Sequence, residues 1–172
     1  MLEVFRHYFC LLTDIIPHYI FVMLLAVLVI GGFLTFAFNK RKALQYFCIL
    51  FLVEYLTILY CSTVFFRKVN TENPYNYTPF WSYDEPDLYF ENIMNVIVFI
   101  PVGFLLGCIL KRNEWWKIVL LGGGISVSIE LLQLYMRKGF SEIDDVMHNT
   151  LGCLVGYGMA AVIGHAVKWY KR

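Results

Sequence analysis

Polar positions along this chain are sparse and grouped, and the stretches between the groups are long and apolar. The first group is periodic. Glu3, Arg6, His7, Cys10, Thr13 and Asp14 recur at helical spacing, with Val4, Phe5, Tyr8, Phe9, Leu11, Leu12, Ile15 and Ile16 between them. That pattern predicts an amphipathic helix lying in a membrane interface and ending near Pro17. The alternative is that it extends the helix that follows. Five apolar runs come next, over residues 19–38, 44–66, 89–110, 117–135 and 145–167. Each has about the length an α-helix needs to cross ~30 Å of hydrocarbon at about 1.5 Å per residue. Asn39-Lys40-Arg41-Lys42 and Lys111-Arg112-Asn113-Glu114 read as short turns. Residues 67–88 read as a long polar loop rich in aromatics with three prolines, and residues 137–144 as a polar turn. Trp115 and Trp116 suit the aromatic belt of a membrane interface. The predicted fold class is all-α: a polytopic membrane helix bundle of about five transmembrane helices, with an N-terminal amphipathic interfacial helix. One membrane domain is expected over residues 1–172.

Composition supports lipid as the solvent. Of 172 residues, 59% are hydrophobic, 18% aromatic and only 16% charged, and the mean hydropathy is +0.62. A water-soluble domain of this length needs more polar surface to cover its core. The net charge is +1, and no basic stretch is long enough to track phosphates, so no nucleic acid partner is expected. Cys10, Cys48, Cys61, Cys108 and Cys153 form no CxxC pair and read as small hydrophobes packed in the bundle. No cleavable signal peptide is expected, because the first long apolar run starts late and lacks a basic flank.

Charge sets the expected orientation. Five spans put the termini on opposite sides. The turns at Lys40 to Lys42 and Lys111 to Lys117, with the C-terminus, hold nine Lys and Arg, against five on the other side. The positive-inside bias then places the C-terminus in the cytoplasm and the N-terminus outside. Small residues mark helix contacts: Gly103 with Gly107, the stripe Gly152, Gly156, Ala160 and Gly164, and the crowd from Gly122 to Ser128. The stripe could pack within the chain or between two copies, so a homodimer stays open.

Polar groups in lipid are expensive and each needs a reason. Glu130, Gln133 and Arg137 share one face of the fourth span, at i, i+3 and i+7. Asp145, His148, Asn149 and Gly152 share one face of the fifth, and Asn92 and Asn95 are about one turn apart on the third. The depths agree: Glu130 lies about 8–10 Å below the outer end of its helix, and Asn95 and Asn149 about 6–9 Å below theirs. Three helices can thus present carboxylate, amide and imidazole groups at one level near the outer headgroups. Plainer roles exist for most of them. Ser141-x-x-Asp144 is a capping-box pattern, so Asp144 and Asp145 could simply start a helix. The amides could be interhelical glue, and His148 a polar anchor. Glu130 is harder to dismiss, since a carboxylate facing lipid would be very costly; it should face the interior and pair, with Arg137 a candidate partner. Glu54, mid-span in the second helix, is either a protonated structural acid or a proton or cation site. Pro101 is expected to kink the third span and free a carbonyl.

In order along the chain stand Tyr77-Thr78-Pro79-Phe80, Asn92, Asn95-x5-Pro101-x-Gly103, Ser126-x3-Glu130-x2-Gln133, Arg137, and Ile143-Asp144-Asp145-Val146-x2-Asn149-Thr150-Leu151-Gly152-x3-Gly156. Together these residues resemble the VanZ family of teicoplanin-resistance membrane proteins, with a VanZ-like core over residues 77–161. Glu142 departs from the pattern, which often has Asp there, and keeps the charge. The first seventy or so residues carry no matching motif. The resemblance implies a bacterial plasma-membrane protein associated with lowered susceptibility to teicoplanin-like glycopeptides.

Three classes of function follow. In the first, a non-enzymatic protein acts at the outer leaflet on a lipid-linked cell-wall component, or blocks docking of a lipoglycopeptide, through the polar site. The aromatic loop (Tyr75, Tyr77, Phe80, Trp81, Tyr83) suits interfacial contact. In the second, Glu130, Asp145 and His148 serve an intramembrane enzyme of polyprenyl-linked lipids or phospholipids, as acid and base or as metal ligands. The absence of HExxH, GxSxG and repeated His/Asp ligand patterns weighs against it, and no cofactor or metal is expected. In the third, a translocase uses Glu54 and Pro101, although no internal repeat supports the usual two-fold plan.

Overall fold

A computed structural model describes residues 26, 29–31, 33, 40–69, 75–110 and 114–170 of the chain. The expected N-terminal amphipathic helix lies outside the described residues. So does the expected first span over 19–38, apart from residues 26, 29–31 and 33, which are helical. The fold class is all-α, and among the described residues four helices are long and apolar enough to cross a membrane: Leu44–Phe65, Pro86–Ile109, Trp115–Met136 and Ile143–Gly164. The chain divides into two compact units, Met1–Lys68 and Val69–Arg172.

In the first unit, helix α1 (Lys40–Tyr60) runs into a π-helical turn, Cys61–Phe65. The expected basic turn thus belongs in part to the start of α1, because Lys and Arg are good helix formers. The wider turn at its end is closed by the Phe66 N–H donating to the Cys61 carbonyl. Ser62 and Thr63 both donate their hydroxyls to the Leu59 carbonyl, which competes with the regular helix ladder. Leu44, Tyr46, Ile49, Leu50 and Val53 are exposed, as a lipid-facing surface requires. Phe47 packs against Gly31 and stacks on Phe51.

The second unit is built on three helices: α2 (Tyr89–Ile109), α3 (Trp115–Met136) and α4 (Ile143–Tyr170). Glycines set their packing. A Cβ at Gly103 would overlap the Cys153 carbonyl, one at Gly152 the Val96 carbonyl, and one at Gly156 the Ile100 carbonyl. Backbone therefore touches backbone along α2 and α4, and the paired positions rise together, so these helices run parallel. The α3 contacts fall as the α4 numbering rises: Gly122 meets Cys153, Gly123 meets Thr150, and Ser126 meets Asn149. α3 is therefore antiparallel to α4, which lies between the other two. The stripe of Gly152 and Gly156 is thus a contact within the chain. α2 runs through Pro101 without a break.

Before α2 the chain forms a strap. Strand β1 (Tyr75–Asn76) pairs in parallel with β2 (Ser141–Glu142), Tyr75 opposite Ser141 and Asn76 opposite Glu142. Two 3₁₀ turns follow, Trp81–Tyr83 and Pro86–Leu88. At the other end of the unit, Trp115 and Trp116 are exposed at the start of α3. Lys117 lies over the Trp116 ring at 5.3 Å and pairs with Glu114 at 2.6 Å.

Candidate functional site

The antiparallel arrangement brings the start of α2, the end of α3 and the start of α4 to one end of the unit, beneath the strap. The polar residues singled out in the sequence occupy this end, and they separate into three sets.

The first set fastens the strap. Asp144 is fully buried. Its Oδ1 accepts the Phe80 N–H at 2.7 Å, and its Oδ2 accepts the Ser82 N–H at 3.1 Å and the Ser82 hydroxyl at 2.6 Å. Asn92 of α2 donates its amide to the same hydroxyl oxygen at 3.1 Å. Charge-assisted bonds of this kind are stronger than neutral ones, and they hold Phe80 at φ 66°, a left-handed conformation unusual for a bulky residue. The expected capping box does not form. Ser141 Oγ pairs with the Tyr77 hydroxyl at 3.3 Å, and Asp144 caps the strap instead of its own helix. His148 joins this set through Nε2, 2.8 Å from the Tyr83 hydroxyl. Its Nδ1 is buried and has no partner among the described residues.

The second set lines the helix interior. Asn95 donates to Asp145 Oδ1 at 2.6 Å, joining α2 to α4. Asn149 donates to Ser126 Oγ at 2.8 Å, joining α4 to α3. Glu130 accepts the Glu142 backbone N–H at 3.0 Å, and Gln133 is buried one turn above it. Glu142 belongs here as well. Burial, then the charges of Asp145 and Glu91, push its carboxyl up to about 7; the Trp81 indole opposes this and Asp144 adds to it. Among the described residues, no three His, Cys, Asp or Glu side chains converge to hold a metal ion.

Arg137 stands apart. It ends α3 in a left-handed conformation, with φ 52° and ψ 42°, and its N–H turns back to the carbonyls of Gln133 and Leu134. That backbone turn carries its side chain off the helical face it would share with Glu130. Arg137 is exposed and forms no ion pair with Glu130. The pairing expected from their spacing is replaced by the Glu142 N–H.

Sequence reasoning missed Ser82, Glu142 and the specific role of Tyr83. The only signal for Ser82 is a small hydroxyl between two aromatics. Glu142 was visible as an acid two positions before Asp144. In α1, Glu54 is buried, and neither of its carboxyl oxygens has a hydrogen-bond partner among the described residues.

Lipid-facing helices, backbone-to-backbone glycine seams and buried polar groups gathered at one end define a multi-pass membrane helix bundle with a polar head. The chain belongs to the VanZ/LLP1 family, whose profile matches residues 23–164. Among curated proteins it is 30% identical over 119 residues to Protein VanZ of Enterococcus faecium, covering 63% of this chain and 72% of that protein. No solved structure matches it. The family match extends upstream of the motif-bearing region into residues that sequence reading saw only as hydrophobic.

Proposed function

We propose that this membrane protein lowers susceptibility to teicoplanin-type glycopeptides. In this reading it acts at the outer leaflet of a bacterial plasma membrane, on a lipid-linked cell-envelope component or on docking of the antibiotic. The polar head faces outward, the C-terminus lies in the cytoplasm and the N-terminus outside, as the bias of basic residues favours.

One observation carries the reading. Glu130 is buried near the end of an apolar helix and is met by a backbone N–H. A carboxylate so placed is costly for stability alone, which favours a binding role. The exposed rings of Tyr75, Tyr77, Phe80 and Tyr83 beside it suit the headgroup layer that a lipidated glycopeptide must also enter.

Cells expressing wild type or Glu130→Gln at matched membrane abundance test the proposal. Glu130→Gln should return teicoplanin susceptibility to that of cells lacking the protein, and should change the binding of labelled teicoplanin to the cell surface. Full protection by Glu130→Gln would remove the site from the account.

A further inference from the structure

We propose that the polar head binds a primary ammonium group. This rests on the reading above, that the head is a binding site, and adds the chemistry of what it takes.

Acids gather around Glu142 of β2: Asp145 of α4 and Glu91 of α2 act on its carboxyl, and Glu130 of α3 accepts its backbone N–H. The charged groups that act on Glu142 are Asp145, Glu91 and Asp144, all of one sign. Asp144 is committed to the strap, so the others set the local field. Such a group of acids favours a cation but does not say which one.

Asn149 supplies the second requirement. Its side chain is 4% exposed, its Nδ2 is given to Ser126, and its Oδ1 has no partner among the described residues. It lies one turn below Asp145 on the same face of α4. Asn95 holds Asp145 from α2, and Ser126 holds Asn149 from α3. Asn149 and Ser126 therefore form a layer between α4 and α3 one helical turn below Asp145 and Glu130, and the bare oxygen is buried in that layer. A buried acceptor without a donor is unfavourable until something supplies an N–H or O–H. A group carrying both a positive charge and free N–H bonds meets both needs. A primary ammonium does so, with three donors on a compact charge. A quaternary ammonium has the charge and no donor. Trp81, packed against Phe140 with ring centroids 5.9 Å apart, adds an aromatic ring to the strap above these acids.

The ammonium could belong to the headgroup of a phospholipid or to a free amine. Both sources can be tested with the full chain reconstituted in vesicles. In the lipid arm, co-purifying phosphatidylethanolamine is compared with its N-trimethylated counterpart, phosphatidylcholine. In the soluble arm, ethanolamine and choline are titrated against protein held in phosphatidylcholine. Preference for the unmethylated probe in either arm supports the proposal, and the arm that shows it names the source. Glu142→Gln and Asp145→Asn should each weaken that binding about tenfold, as loss of one charged hydrogen bond implies.

A wild-type measurement guards against variants that fold poorly. Because Glu142 must be ionised to hold the ammonium, affinity should rise between pH 6 and pH 8. The groups that act on it are Asp145 and Asp144 of α4, Glu91 of α2 and Trp81 of the strap, and Glu130 of α3 accepts its backbone N–H. The rise should flatten in Glu142→Gln if Glu142 is its source. Equal affinity for methylated and unmethylated probes overturns the proposal, as does a wild-type affinity that is flat across this range. If Glu130→Gln abolishes protection while ethanolamine and choline bind alike, the ammonium assignment fails and the proposed function stands. If ethanolamine is preferred while Glu130→Gln protects fully, the reverse holds.

Discussion

Three donors from the strap converge on one carboxylate, and that count decides what Asp144 can be replaced by. Both oxygens of an ionised aspartate accept, whereas asparagine offers one oxygen and turns an NH₂ toward groups that are themselves donors. At least one buried donor of Phe80 or Ser82 would then lose its acceptor, while Phe80 would still occupy its left-handed conformation, which costs about 1–3 kcal/mol by itself. Asp144→Asn should therefore destabilise the strap by about 2 kcal/mol. Thermal unfolding, together with exposure of Trp81 to an aqueous quencher, measures this; an unchanged unfolding midpoint and unchanged quenching would show that the latch carries no load. Glu130 and Asp145, which each meet a donor from another element, differ from Asp144 in remaining within the acidic interior.

At the scale of elements, the seam between α2 and α4 is made of glycine against carbonyl. No side chain there can rotate away, so an added methyl group must push the helices apart. Gly152→Ala should cost about 1–3 kcal/mol, as overpacking does, or more because the obstacle is backbone. Gly158, with nothing within 4 Å of a Cβ, supplies the contrast. Gly158→Ala should be neutral or stabilising by up to about 1 kcal/mol through helix propensity. Unfolding of the two variants in the same detergent checks the pair; equal effects would deny the seam its role. The helices themselves were legible in the sequence because uninterrupted apolar runs have few alternatives in lipid. The runs at 89–110, 117–135 and 145–167 became Tyr89–Ile109, Trp115–Met136 and Ile143–Tyr170. The strap was less legible. Its strand pairing, its first 3₁₀ turn and the left-handed Phe80 depend on partners more than sixty positions away, which local spacing cannot reveal. For the same reason the spacing correctly set Glu130 and Gln133 on one buried face, yet suggested Arg137 as a partner. A one-residue departure from helical geometry at the end of α3 redirected that side chain.

At the scale of the molecule, the polar head makes stability depend on pH through Glu142. Its carboxyl titrates near 7 when folded, against an ordinary value of 4.5. Between those values the folded protein holds a proton that the unfolded chain has shed. Stability must therefore fall as pH rises through this window, and the penalty is complete above about 7. The unfolding temperature of the wild type should drop from pH 5 to pH 8, and Glu142→Gln should lessen the slope. A Glu142→Gln slope equal to that of the wild type would assign the dependence to other groups.

The Asp144 latch also has a consequence in time. The strap is synthesised before α2 and α3, whereas the carboxylate that shapes it arrives only with α4. During membrane insertion, then, Phe80 and Ser82 lack this acceptor until α4 is delivered. The polar head cannot be assembled piecemeal from its N-terminal side. Its completion is a late event in biogenesis, and a ribosome stalled before residue 144 would leave the strap without its clasp.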